Sequence, residues 1–256
     1  MAKTAVKPAG RRKRGAQTKM TLALFSMMLP GLIYLIINNY IPMAGLVIAF
    51  KRFNYGKGIW GSDWAGLSNF TYLFKTQDAK NIIRNTIGYN LTFILLGNVL
   101  AVAVAVMLNF MRGTLNKKIY QTVILVPYLI SMVVVSYIVF GFLSQENGFL
   151  NKILVAMGKD PVSWYTTSKY WPFILVFVNL WKGFGYSSIL YYATVIGIDS
   201  SLYEAATVDG ANRWKQVWHV TLPGLRGTII TMVLLSIGRM FYSDFGLFYQ
   251  VPMRSG

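Results

Sequence analysis

The sequence predicts an all-α integral membrane protein, a polytopic helical bundle, and three observations support that fold class. Of its 256 residues, 55% are hydrophobic and only 13% are charged, whereas soluble domains carry about 25% charged residues. The apolar residues fall in long runs, and about 20 apolar residues in a helix cross a bilayer core. Cysteine is absent and histidine occurs once, which argues against thiolate and multi-histidine metal sites. We therefore expect no metal site and no catalytic residue in this chain.

A basic segment opens the chain, and residues 1–20 are predicted to form a cytoplasmic tail. It contains no acid and seven basic residues, namely Lys3, Lys7, Arg11, Arg12, Lys13, Arg14 and Lys19. The net charge of +17 raises the question of nucleic acid binding, but no soluble module with a basic face follows the tail. A basic cluster before an apolar run instead places the N-terminus in the cytoplasm. We expect no nucleic acid partner.

The rest of the chain, residues 21–256, is predicted to form one transmembrane domain with five spans. The spans are about 22–50, broken by Pro30 and Pro42, then 86–108, 120–143, 171–196 and 225–249. The first is too long for the apolar region of a signal peptide, about 7–15 residues, so we interpret it as a retained helix. Residues 51–85 and 145–169 then lie outside, and 109–119 and 197–224 lie inside. Basic residues in the first outer loop count against this orientation, which the tail and short inner loops favour.

The inner segment between the fourth and fifth spans has the local signals of a helix-turn-helix elbow. Ser201 and Glu204 have the spacing of a capping box, and the Asp209-Gly210 pair is a turn signal. Residues 211–220 are predicted to form a second short amphipathic helix, with Trp214, Val217 and Trp218 on one side. Leu222-Pro223 should end that helix, because proline suits the first turn of a new one. The plain alternative is an ordinary amphipathic loop in which Glu204 caps its own helix.

The elbow resembles the EAA motif of the permease subunits of binding-protein-dependent ABC importers. The residues that carry the resemblance are Glu204, Ala205, Ala206, Asp209, Gly210, Ala211, Leu222 and Pro223. The stretches 29–34, 40–45, 48–51, 66–70, 85–86, 126–127 and 246–252 are also similar to sugar permeases of the maltose-transporter superfamily. Within it, the chain looks most like the oligosaccharide permeases of lipoprotein-linked polysaccharide uptake systems.

The resemblance implies a translocation pathway for a sugar or oligosaccharide in a bacterial cell membrane. It also implies an ATPase dimer that docks on the elbow, a second and different permease subunit, and an extracytoplasmic binding protein or lipoprotein. The sequence contains no phosphate-binding Gly-x-x-x-x-Gly-Lys-Ser/Thr loop, so ATP and Mg²⁺ would be used by the partner ATPase and no cofactor is expected here. Such permeases usually have a sixth helix, and we expect this chain to lack the last one.

Polar groups inside spans are costly and mark candidate pathway residues. The candidates are Asn179, Trp181, Lys182, Tyr186, Tyr191, Arg239 and Asp244. Aromatic rings and hydrogen-bonding groups suit a carbohydrate. The alternative is that Lys182 bridges helices or extends toward the interface, that Arg239 lies near the interface, and that the aromatic residues are ordinary constituents of membrane helices.

Three other functions remain open at this point. An ABC permease for a different solute, such as an amino acid or phosphate, differs only in its pathway. An ion-coupled secondary transporter often carries internal repeats and intramembrane acids, whereas this chain has no evident repeat and only Asp244 within a predicted span. A membrane sensor or scaffold would need neither polar residues within its helices nor the elbow.

Overall fold

The computed structural model describes residues 11–253, with side chains from residue 18 onward except those of residues 72 and 73. The chain divides into two compact units, Met1–Lys80 and Asn81–Gly256. Residues 1–10 of the predicted basic tail lie outside the described part, and the first helix begins at Arg11.

The first unit begins with a long apolar helix that continues through both of its prolines. It comprises α1 (Arg11–Leu35), a π turn (Ile36–Tyr40), α2 (Ile41–Met43) and a 3-10 segment (Ala44–Phe50). We expected Pro30 and Pro42 to break this span, which is wrong. Pro30 lies inside α1, and the amide of Ile41, just before Pro42, bonds to the carbonyl of Ile36 in π geometry. That wider turn keeps the chain helical next to a residue that lacks an N–H.

A small folded loop follows the first span. Its elements are β1 (Lys51–Arg52), α3 (Gly58–Gly61), β2 (Asp63–Trp64) and α4 (Ser68–Lys75), with β1 antiparallel to β2. Lys51 is buried, its ammonium donates to the carbonyl of Trp60 at 2.8 Å, and it lies 5.2 Å from the Trp64 ring centre. Lys51 therefore has a structural use within the loop.

The second unit contains the remaining helices. They are α5 (Gln77–Phe110, entering from the first unit), α6 (Thr114–Leu129), α7 (Met132–Leu143), α8 (Phe149–Ala156), a 3-10 turn (Ser168–Tyr170), α9 (Trp171–Ile196), α10 (Ser200–Val208), α11 (Arg213–Gln216), a π turn (Val217–Thr221), α12 (Leu222–Ile237) and a last π turn (Gly246–Gln250). In the described part of the chain, four helical stretches are long and apolar enough to cross a membrane, or five if α6 and α7 form one broken span.

Two predicted spans differ from the structure. The third was predicted as continuous, but α6 and α7 meet at a bend of 95° after Leu129, and the side chain of Ser131 caps the new helix by accepting the amide of Val134. The fifth was predicted to reach residue 249, but α12 ends at Ile237 and Gly238 begins a turn. Apolar composition continues past both helix ends, so hydropathy alone does not locate them.

Helix α9 lies at the centre of the second unit. At its C-terminal half, Tyr191 and Val195 pack with Ala101 and Ala105 of α5 and Leu225 of α12. At its other half, Leu175 and Val178 pack with residues of α7 and of the segment after α12. The small side chains of α5 allow close helix approach, as is common between membrane helices.

Candidate functional site

The elbow between α9 and α12 begins with a cap that the sequence did not lead us to expect. The Asp199 carboxylate accepts the amide of Ser201 at 2.9 Å and so caps α10. This hydrogen bond lowers the pKa of Asp199 below its ordinary value, because it favours the charged form. The predicted capping box of Ser201 and Glu204 is therefore wrong, since the helix starts earlier and Asp199 occupies the capping position.

The Glu204 carboxylate is exposed, and it makes no hydrogen bond or ion pair with any residue between 11 and 253 that the structure describes. The alternative in which Glu204 caps its own helix is thereby removed. Within α10, only Tyr203 and Ala206 are partly buried. Leu202, Ala205 and Val208 are exposed. Helix α10 thus presents a free carboxylate among apolar side chains.

The turn after α10 is a Schellman motif. Gly210 has a φ of +74°, its amide donates to the carbonyl of Thr207 at 3.0 Å, and the amide of Ala211 donates to Ala206 at 2.8 Å. These bonds satisfy carbonyls that a helix end leaves without partners. Glycine suits this position because it adopts positive φ without steric cost.

The second half of the elbow runs without a break into α12. Asn212 caps α11 by accepting the amide of Lys215 at 2.9 Å. The predicted end at Leu222-Pro223 is wrong: in the π turn the amide of Leu222 bonds to Val217, so the helix accommodates Pro223 and continues. The elbow is thus joined directly to a membrane span.

Two side-chain hydrogen bonds hold the halves of the elbow together. The Gln216 amide donates to the Thr207 hydroxyl at 3.0 Å, and the hydroxyls of Tyr203 and Thr221 lie 3.0 Å apart. Together with the Schellman turn, they join α10 to the helix that continues into α12.

The three residues predicted to form one apolar side of the second elbow helix do not share an environment. Val217 is buried, whereas Trp214 and Trp218 are 74% and 66% exposed. Residues four apart share a face of a helix, so the two tryptophans lie together on the surface and Val217 points into the elbow.

A polar cavity of about 350 Å³ lies among α5, α9, α12 and the segment that follows α12. Its walls carry amides, hydroxyls, two charged groups and aromatic rings. The lining residues are Asn90, Phe93, Ile94, Gly97, Asn98, Asn179, Leu180, Gly183, Phe184, Ser187, Met232, Ser236, Arg239, Tyr242, Asp244 and Phe248.

Three of the seven predicted pathway residues line this cavity: Asn179, Arg239 and Asp244. The Arg239 guanidinium lies 5.0 Å from the Tyr242 ring centre, and the Asp244 carboxylate accepts the amide of Leu247 at 3.2 Å. The two charges do not pair with each other; the ion pair found in the described part of the chain joins Lys57 and Asp63. Arg239 therefore keeps its donors available to a ligand.

The other four predicted pathway residues lie elsewhere. Trp181 lines a separate, almost wholly apolar cavity next to α7. Lys182 donates to the backbone carbonyls of Pro127, Tyr128 and Ile130. Tyr186 stacks on Tyr128 with ring centres 4.7 Å apart. Tyr191 is fully buried, and its hydroxyl donates to Asn98. It contributes by orienting an amide that does line the polar cavity.

Sequence reasoning missed the contribution of α5 to the cavity. Asn90 and Asn98 lie eight residues apart with Gly97 and Ile94 on the same face of that span. The cost of polar groups in a membrane, which singled out residues on the fourth and fifth spans, also applies to these two amides. No group of three His, Cys, Asp or Glu side chains that could hold a metal ion occurs among the described residues.

Comparison with protein families gives a match to the family described as binding-protein-dependent transport system inner membrane component, over residues 79–243. That range contains the elbow and all of the cavity-lining residues except Asp244 and Phe248. Among characterised proteins of Bacillus subtilis (strain 168), the chain is 33% identical to protein LplB over 88% of this chain and 71% of LplB. It is 34% identical to YteP, a polygalacturonan/rhamnogalacturonan transport system permease, over 84% of this chain and 67% of YteP.

Solved structures of bacterial ABC transporters are also similar to this chain. A chain of a bacterial ABC transporter that imports the acidic polysaccharide alginate superposes with a TM-score of 0.81 and 30% identity, covering 95% of this chain and 84% of that one. A second structure of a bacterial alginate ABC transporter is bound to a periplasmic protein that holds an alginate pentasaccharide. It superposes with a TM-score of 0.78 and 30% identity, over 93% of this chain and 81% of that one.

Proposed function

The chain belongs to the family of binding-protein-dependent transport system inner membrane components, and from that premise we propose how it works as a sugar importer permease. It forms part of the translocation pathway for an oligosaccharide and is driven by ATP hydrolysis in a separate subunit. The observation that carries the proposal is the exposed carboxylate of Glu204, which has no partner among the described residues. It lies on an elbow that continues into a membrane span.

The elbow is proposed to dock on the ATPase subunit. A carboxylate without an internal partner favours a basic residue of another protein, and a charge-assisted hydrogen bond is about twice as strong as a neutral one. Ala205, Ala206 and Gly210 carry little or no side chain and permit close approach. Because α11 runs into α12 without a break, a displacement of the elbow by the ATPase would move α12 with it.

The polar cavity is proposed to be this chain's share of the substrate pathway. The Asn179 amide makes no side-chain hydrogen bond within the described residues, so it offers donors and an acceptor to sugar hydroxyls. The NH₂ group of Asn90 donates to the carbonyls of Thr86 and Tyr242, so Asn90 offers its oxygen. The ring centres of Phe93 and Phe248 lie 6.4 Å apart. Ligand sites of this kind combine apolar walls with a few polar groups. A second permease subunit would close the pathway, as implied by the family.

The substrate is proposed to carry carboxylate groups. Arg239 is not ion-paired in the described part of the chain and contributes to the cavity wall, and a guanidinium binds a carboxylate through two parallel hydrogen bonds. Two similar proteins belong to transport systems for polymers that contain acidic sugars: alginate for the solved transporter and polygalacturonan/rhamnogalacturonan for YteP. A neutral oligosaccharide or a non-sugar solute is the alternative that the experiment below distinguishes.

The orientation proposed is a cytoplasmic N-terminus and elbow. The basic residues at 11–19 precede the first span, and cationic residues near span ends favour the cytoplasmic side. The loops after the first span and around α8 would then face an extracytoplasmic binding protein. The membrane would be the bacterial cell membrane.

The proposal is tested by ATPase activity of the chain with its ATPase, second permease and binding protein in nanodiscs. We expect stimulation that needs both the binding protein and an oligouronate, and a smaller response to the same oligosaccharide after its carboxyl groups are reduced. Glu204→Ala should abolish stimulation, whereas Lys118→Ala, at an exposed charged residue near the start of α6 and outside the elbow, should not. Equal stimulation by acidic and reduced glycans would contradict the substrate class, and full stimulation with Glu204→Ala would contradict the role of the elbow.

A further inference from the structure

The bend between α6 and α7 leaves backbone carbonyls that need partners. The last four carbonyls of a helix receive no hydrogen bond from an amide of the same helix. Helix α6 ends at Leu129, inside an apolar helix pair. In a bilayer no water is available to satisfy such groups, so the protein must supply the donor. This holds whether the pair crosses the membrane or re-enters it.

Lys182 of α9 supplies that donor. Its ammonium donates to the carbonyls of Pro127 at 3.3 Å and Tyr128 at 2.9 Å, and also to that of Ile130. An ammonium has three donors, so its capacity is filled by the end of α6. A positive charge there is also favoured by the helix dipole. Lys182 is therefore a cross-helix cap and has no donor left for a ligand.

The next turn of α9 adds a close backbone contact to this cap. A side chain at Gly185 would collide with the carbonyl of Ile124, so the backbones of α6 and α9 touch there. The stacked rings of Tyr128 and Tyr186 also join the two helices. We call this contact between the end of α6 and residues 182–186 of α9 the joint. Two successive turns of α9 thus hold the end of α6.

The joint lies between two parts of the molecule with different tasks. Helix α9 ends at Ile196 and is followed by the elbow, which begins at Ser200. On the other side of the bend, α7 leads to α8 and the segment predicted to face outward. A motion of α9 can reach α7 through this joint.

We propose that Lys182 is a positioning residue for transport, because it makes the end of α6 and the middle of α9 move as one body. Displacement of the elbow is thereby transmitted to the bend and to α7. This inference rests on the proposed function. It also assigns Lys182 a role different from direct contact with the substrate.

The first test uses unmodified Lys182. Leu129→Cys on α6 and Phe177→Cys on α9 are exposed sites in a chain without cysteine, so a spin-label pair there reports the distance across the joint. Electron-electron resonance on the nanodisc complex should give the same distance without nucleotide and after trapping with ATP and vanadate. A shift of the distance distribution between the two states would overturn the proposal, even if every Lys182 variant failed to assemble.

The second test removes the ammonium. Lys182→Met should lower stimulation by binding protein and oligosaccharide about fivefold, with the unstimulated ATPase rate retained, and Lys182→Arg should restore part of it. Lys118→Met, the same change at an exposed lysine near the start of α6, is the control and should behave as the unmodified chain does. Stimulation of Lys182→Met equal to that of the control would overturn the role of Lys182 alone. No stimulation of the unmodified complex would overturn the proposed function together with the transmission that depends on it.

Discussion

The polar side chains of the membrane helices differ in whether their hydrogen-bonding capacity is used within the chain. Lys182 and Tyr191 are engaged by backbone carbonyls and by Asn98 respectively, so they serve the structure. Arg239 lies over an aromatic ring and has no carboxylate partner among the described residues. A buried donor that already has its partners is costly to redirect. The distinction therefore separates positioning residues from residues that can bind a ligand.

At the residue scale, Gly210 offers a direct test of the elbow. Gly210→Ala should destabilise the turn by about 1–2 kcal/mol, because a β-carbon is unfavourable at positive φ. Hydrogen exchange of the amides between residues 200 and 221 should become faster, while exchange in α5 stays the same. Gly210→Asn is the matched control, since asparagine tolerates this conformation, and equally slow exchange in the alanine and asparagine variants would contradict the interpretation.

At the element scale, the π turns share one relation to proline. Each of the three in the described part of the chain ends two residues before a proline: Tyr40 before Pro42, Thr221 before Pro223, and Gln250 before Pro252. Proline removes a backbone donor and crowds the preceding turn. A wider turn relieves the crowding, which lets the first span and the elbow helix continue where a break was predicted.

Also at the element scale, the contact between α6 and α9 should tolerate no side chain at Gly185. Gly185→Ala should lower the stability of the purified protein by about 1–3 kcal/mol through overpacking. Gly183→Ala, two residues earlier, should have little effect, because a β-carbon there meets nothing within 4 Å. Thermal unfolding in detergent measures both variants, and equal melting temperatures would show that the backbones of α6 and α9 do not touch.

At the scale of the whole molecule, the number of crossings depends on how the bent pair α6 and α7 is arranged. Because α9 crosses between α8 and the elbow, those two lie on opposite sides in either arrangement. If the pair crosses once, α8 lies opposite to the start of α6. If it re-enters, α8 lies on the same side as α6 begins. The proposed function requires the first arrangement, since an outer segment must meet the binding protein.

Single cysteines decide this, because the chain has none of its own. Tyr55→Cys and Lys159→Cys, both exposed, should react with a membrane-impermeant maleimide in intact cells. Val208→Cys, on the exposed elbow helix, should react only after permeabilisation. Protection of Lys159→Cys together with labelling of Val208→Cys in intact cells, with Tyr55→Cys still labelled, would indicate a re-entrant pair. Protection of Tyr55→Cys until permeabilisation would reverse the orientation.

The sequence by itself determined the helical membrane class, the approximate spans, the elbow and the turn at Gly210. These follow from hydropathy, turn residues and helix propensity, which act over one span or a few neighbouring residues. The family that the comparisons establish was indicated separately, by the resemblance of residues 204–223 to the EAA motif. The capping position and the helix ends were less predictable, because Asp199 and Ser201 are both good caps and apolar composition continues past Ile237.

Only the tertiary structure decided which polar residues line the cavity and which hold the helices together. The partners of Lys182 are 52 to 55 residues away in sequence, and the cavity combines amides from α5 with charged groups after α12. Which helices adjoin depends on packing of whole faces, such as Gly185 against α6. A span's composition shows that a polar group must be satisfied, but only the neighbouring helix shows what satisfies it.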